Sequence, residues 1–117
     1  MLRVAIVGSR DYPDRLDVEQ LVHQLVEAHG PGVVIISGGA RGPDSWAVEV
    51  AKDLGLDTVV HRPDWSQGKG AWFDRDVAIV RDADLVYAFW DGVSDGTRNT
   101  IHLARWAGCL AYVFTPA

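Results

Sequence analysis

A single cysteine, Cys109, stands in 117 residues, so no disulfide can close within the chain and a cytosolic protein is the simple reading. No run of about 18 apolar residues occurs, which argues against a membrane-spanning helix. The opening Leu2-Arg3-Val4-Ala5-Ile6-Val7 lacks the layout of a signal peptide. Positive charge is scarce: 11 Lys and Arg against 16 Asp and Glu leave a formal net charge of −5. Broad binding to a phosphate backbone depends on many cationic contacts. Nucleic acid is therefore not an expected partner, while a small anion held by a few cations remains open. The four histidines, His23, His29, His61 and His102, lack metal-ligand spacing, and no Ser/His/Asp arrangement is evident. Neither Gly-x-x-x-x-Gly-Lys-Ser/Thr nor a strict Gly-x-Gly-x-x-Gly occurs, so ATPase and dehydrogenase readings are poor. No metal and no resident cofactor are expected. Repeats, charge blocks and low-complexity linkers are also missing, and residues 1–117 read as one domain.

Short apolar runs alternate with helical patterns. Leu2–Val7, Val33–Ile36, Thr58–His61, Leu85–Trp90 and Leu110–Phe114 read as strands, most of them buried on both faces. Between them, Val18, Leu21, Val22, Leu25 and Val26 follow helical spacing to a stop at Gly30. A capping box of Asp17 and Gln20, or Asp14 instead, starts that helix. Ala47, Val50, Ala51 and Leu54 form a second helical face, Phe73, Val77 and Val80 a third. The fourth comprises Ile101, Ala104 and either Ala107 or Gly108. The alternation predicts an α/β fold: a doubly wound parallel sheet of five strands in the order 3-2-1-4-5, with helices on both faces. A ligand crevice then opens where strands 1 and 4 part at their carboxyl ends.

Special residues follow the strands around that point: Gly8-Ser9-Arg10, Ser37-Gly38-Gly39-Ala40-Arg41-Gly42, and Asp91-Gly92-Val93-Ser94-Asp95-Gly96-Thr97. Glycine lets a ligand approach the main chain, and free N–H groups at a helix start favour an anion. The helix dipole contributes only about 0.3–1 kcal/mol, whereas micromolar binding needs about 8 kcal/mol. Nearby cations must add to it, and Arg10, Arg41, Lys69, Arg75 and Arg98 are the available ones. Asp44 either stabilises the first turn of its helix or accepts a ribose hydroxyl. Trp46, Trp90 and Trp106 read as packing residues and Cys109 as core. Trp65 and Trp72 flank an irregular segment, where they either stack on a base or cover the edge of the core.

Taken together, Val4–Arg10, Ser37–Asp44, Pro63-Asp64-Trp65 with Gly68-Lys69, Arg75, Ala83-Asp84 and Ala88–Thr97 resemble the SLOG superfamily, in the small single-domain branch related to YspA and YpsA. The resemblance implies a Rossmann-like fold that binds a nucleotide or nucleotide-derived ligand, NAD- or ADP-ribose-like in some branches, as a sensor or sequestering module. Gly8, Ser9, Arg10, Gly38, Gly39, Arg41, Gly42, Asp44, Lys69, Arg75, Ser94, Gly96 and Thr97 would line the site, joined by Trp65 and Gly92 from the reading of the loops. It also implies a homodimer, with Trp106, or the outward one of Trp46 and Val48, at the contact. The branch has Asn after the arginine where this chain has Asp76. The Lonely Guy phosphoribohydrolases are similar at Arg75 and at Gly96-Thr97, which implies nucleoside 5′-monophosphate cleavage as an alternative, with Arg75 the best catalytic candidate. Their glutamate would fall on Thr100. DprA shares the Gly-Ser-Arg and Gly-Ala-Arg-Gly pieces, and single-stranded DNA binding is the minor alternative.

Overall fold

The computed structural model describes residues 1–116. Five strands, β1 (Arg3–Gly8), β2 (Val34–Ser37), β3 (Asp57–Val60), β4 (Leu85–Phe89) and β5 (Leu110–Phe114), alternate with four helices, α1 (Arg15–His29), α2 (Pro43–Asp53), α3 (Ala71–Asp82) and α4 (Asp95–Trp106). All neighbouring strands are parallel, in the order β3-β2-β1-β4-β5. This is the Rossmann-like sheet expected from the alternation. Parallel strands require crossovers, and the intervening helices supply them.

The core divides into two clusters, one on each face of the sheet. Val4, Ile6, Val33, Ile35 and Phe89 pack beneath Val18, Val22 and Leu25 of α1 and Ala47 and Ala51 of α2. On the other face Ala5, Val7, Ile36, Val86 and Ala88 meet Ile79 and Val80 of α3 and Ile101 and Ala104 of α4. Val4, Ala5, Ile6 and Val7 are all buried, which is why β1 reads as a continuous apolar run rather than an alternating one. Asp14, not Asp17, starts α1: its carboxylate accepts a hydrogen bond from the Leu16 N–H at 3.0 Å. Asp17 instead accepts from the Tyr12 hydroxyl at 2.8 Å.

Three expectations fail. Phe73 and Val77 are exposed, and the inward face of α3 is Ala71, Asp76, Ile79 and Val80. A polar residue takes the inward position because Arg75 and Asn99 supply it with hydrogen-bond donors. Trp106 does not pack: it is 89% exposed at the last turn of α4. Ala107 and Gly108, offered as inner-face positions, are exposed in the turn that follows. Trp46 and Trp90 do pack against the two clusters, and Cys109 is half-buried beside the second. Among the described residues no helix is long and apolar enough to cross a membrane, and no group of metal-ligating side chains is assembled.

Candidate functional site

At the carboxyl ends of β1 and β4, where strand order reverses, lies a cleft of about 550 Å³. Ligands of open α/β sheets bind at such a point. Its walls include Gly8, Arg10, Asp44, Trp65, Arg75, Ser94, Gly96 and Thr97 from the sequence-based set. Ser9, Gly38, Gly39, Arg41, Gly42, Lys69 and Gly92 are not among its lining residues.

The glycine turns after β1 and β2 bind one another. Both oxygens of Asp44 accept backbone N–H groups, from Gly8 at 3.1 Å and from Gly38 at 2.9 Å. Gly39 N–H donates to Ser37 Oγ at 3.1 Å, and Ser9 N–H donates to the Phe89 carbonyl at 2.9 Å. These amides are engaged within the protein and do not present an empty cradle. The glycines are needed for fit: a Cβ on Gly8 would lie 2.5 Å from Pro43 Cγ and 2.7 Å from the Phe89 carbonyl. Burial pushes the Asp44 carboxyl up to about 7, against the opposing pull of the Gly38 N–H, the Arg75 charge and the Gly8 N–H. Asp44 is thus a tie between two loops.

Arg75 is similarly engaged. Its Nη1 donates to the Gly38 carbonyl at 2.7 Å and its Nε to Asp76 at 2.7 Å. Asp76 is buried and also accepts from Asn99 Nδ2 at 3.1 Å. Burial raises its pKa, outweighing Asn99, Arg75 and Thr100. Arg41 is exposed and does not line the cleft, but its Nη2 lies 3.6 Å from the carboxylate of Asp11, which does.

The third loop differs. Asp91 Oδ1 accepts from the N–H groups of Val93 and Ser94, at 2.9 and 2.8 Å. These bonds hold the Asp91 carboxyl below its usual range. Ser9 Oγ accepts the Asp91 N–H at 3.1 Å and lies 3.3 Å from Thr97 Oγ1, which ties the first loop to the third. The loop thereby aims the start of α4 into the cleft, and no side chain caps that start. An uncapped helix start presents free N–H donors and the positive end of the dipole. Trp65 and Trp72 line the same cleft.

Several lining residues escaped sequence reasoning as cleft residues: Asp11, Ala40, Asp76, Ile79 and Val93. Asp76 drew notice only as a departure from the family pattern. Its helical register put it beside the expected inner face, its charge argued for exposure, and the nearby donors explain its burial.

These features define a Rossmann-like α/β domain with a crevice at the switch point of its sheet. More narrowly, the chain belongs to the YspA, cpYpsA-related SLOG family, whose model matches residues 2–68. It is 36% identical over 115 residues to the Gene 61 protein of Mycobacterium phage D29, covering 92% of each chain. Two solved structures share the fold. One is DNA processing protein A from Helicobacter pylori, described by its single-stranded DNA binding mode, at TM-score 0.76 and 22% identity. The other is DprA from Streptococcus pneumoniae, at TM-score 0.77 and 20% identity. The alignments take in 99% and 100% of this chain but only 66% and 51% of those two.

Proposed function

We propose that the cleft binds a nucleotide-derived small molecule, with the anionic group at the start of α4 and the base against Trp65 or Trp72. The observation that carries this reading is the uncapped start of α4, which opens into a cleft that two tryptophans also line. Arg10 lines the same space and supplies a cation. Aromatic rings offer stacking worth about 1–3 kcal/mol per base, and the helix end adds about 1 kcal/mol. Binding without chemistry makes the protein a sensor or a sequestering module.

Isothermal titration with AMP, ADP-ribose and NAD tests the reading, with tryptophan fluorescence followed in parallel. At least one ligand should bind at micromolar strength or better and alter the fluorescence. Arg10→Ala and Trp65→Ala should each weaken it about 5- to 30-fold, as expected for losing 1–2 kcal/mol. No heat and no fluorescence change with any of the three would overturn it.

N-glycosidic cleavage is the second reading, and one observation favours it. Asp76 is a buried carboxyl in the cleft wall beside Thr100, with its pKa raised. Such a group is a candidate proton donor to the departing nucleobase, or a base for the water that takes its place at the anomeric carbon. Free base and ribose 5-phosphate, found by chromatography in the same AMP samples, would favour this reading over binding alone.

A further inference from the structure

The edge of the sheet farthest from β3 carries a surface the cleft does not use. β5 is Leu110-Ala111-Tyr112-Val113-Phe114, with no charge and no proline, and among the described residues only β4 pairs with it. Natural sheets guard such edges with charges, proline, bulges or a covering element. Ala111 and Val113 turn toward α4 and join the second cluster. Leu110, Tyr112 and Phe114 lie on the opposite face and remain 61%, 47% and 40% exposed. They extend an aromatic stack in which Tyr87 meets Tyr112 at 5.1 Å and Phe89 meets Phe114 at 5.0 Å. α2 covers β1, β2 and β3, whereas the helix packed on β5 is α4, on the other face.

We propose that a second copy of this chain pairs with β5, antiparallel about a two-fold axis at Tyr112, and joins the two sheets into one. The backbone directions fit this register. Trp90 N–H donates to the Phe114 carbonyl at 2.8 Å, so Phe114 turns its polar groups toward β4. By the two-residue period of a strand, Leu110 and Tyr112 do the same, while Ala111 and Val113 point theirs outward. Antiparallel self-pairing about Tyr112 sets Ala111 opposite Val113 of the second copy, and such a pair exchanges two hydrogen bonds. Tyr112 then faces its own counterpart at a non-bonded position, where side chains approach most closely. Leu110 faces Phe114, and the aromatic stack runs on across the axis.

A two-fold interface must complement itself, and an uncharged strand centred on one residue meets that condition. The chain carries a net charge of −5, but none of it lies in Leu110–Phe114, so like charges are not forced together at the contact. The three side chains and the strand backbone would cover roughly 300–400 Å² per copy. That is below the ~800 Å² per partner of a standard interface. The dimer is therefore weak and reversible, forming at tens of micromolar or above, roughly.

Sedimentation velocity on the full chain, from about 1 to 300 µM, tests this with wild type, Tyr112→Lys, Ala111→Pro and Trp106→Ala. Wild type should shift from monomer to dimer across the series. Tyr112→Lys and Ala111→Pro should each weaken association at least about 10-fold (~1.4 kcal/mol) with unchanged circular dichroism, since proline is tolerated where an edge N–H faces solvent. Trp106→Ala should behave as wild type. A wild type that stays monomeric at every concentration overturns the proposal. So does a dimer that survives both β5 variants but is lost with Trp106→Ala, which would put the contact on the helices. If Ala111→Pro does not fold, Tyr112→Lys decides, because its side chain starts at the surface.

Discussion

Asp44 shows how one side chain acquires two meanings. In the sequence it is an acid in the first turn of a helix or a partner for a ribose hydroxyl; in the structure its oxygens hold Gly8 and Gly38. The choice was not legible because one N–H partner, Gly8, comes from another loop 36 residues away. Its pKa lies near 7 in the folded state, above the ordinary 3.8. The folded protein therefore keeps a proton that the unfolded chain releases. This contribution to stability falls as pH rises from about 4 to about 7 and is level beyond. In urea unfolding, wild type should lose more stability between pH 5 and pH 8 than Asp44→Asn does. Equal losses would show that Asp44 ionises without resistance. At either pH the Asn variant should be the less stable, by about 1–3 kcal/mol, because its amide nitrogen faces an N–H group.

At the level of elements, the strands were readable and the helix faces less so. β5 follows the expected boundaries at both ends, because the six-residue apolar run Cys109–Phe114 between Gly108 and Thr115 allows little else. The face of α3 was misjudged because counting apolar residues alone puts Phe73 and Val77 inward and discounts Asp76, on the same stripe by register, for its charge. Phe73 instead meets Trp72 edge-on at the surface, centroids 6.2 Å apart. The start of α1 offered two aspartates at plausible offsets, and the structure separates them by their donors: the Leu16 N–H for Asp14 and the Tyr12 hydroxyl for Asp17. Asp14→Ala should lower stability by about 1 kcal/mol through loss of the cap. Asp17→Ala should leave the helix start intact and free the Tyr12 hydroxyl, whose pKa is now pushed up to about 12 by burial and the adjacent Asp17. Absorbance titration of tyrosine should find it lower in that variant.

Across the whole molecule, sheet order and crevice position followed from strand alternation, whereas the charge inside the crevice did not. Arg10 and Arg75 share it with Asp11, Asp44, Asp76, Asp91 and Asp95, and these acids come from four separate segments that spacing cannot bring together. Kinship of fold with a protein described by its single-stranded DNA binding runs against the expectation that nucleic acid is not a partner. The acidic lining and the net charge of −5 favour the expectation. Fluorescence anisotropy with a labelled oligonucleotide decides between them: at most one or two counterions should be released, a far shallower dependence on salt than a strand-wide contact gives. The tie made by Asp44 also bears on motion. One carboxylate restrains the tips of β1 and β2 together, so neither can swing out while the other stays. Amide hydrogen exchange at Gly8 and Gly38 should accordingly proceed at one common rate, and Asp44→Asn should let the two rates separate.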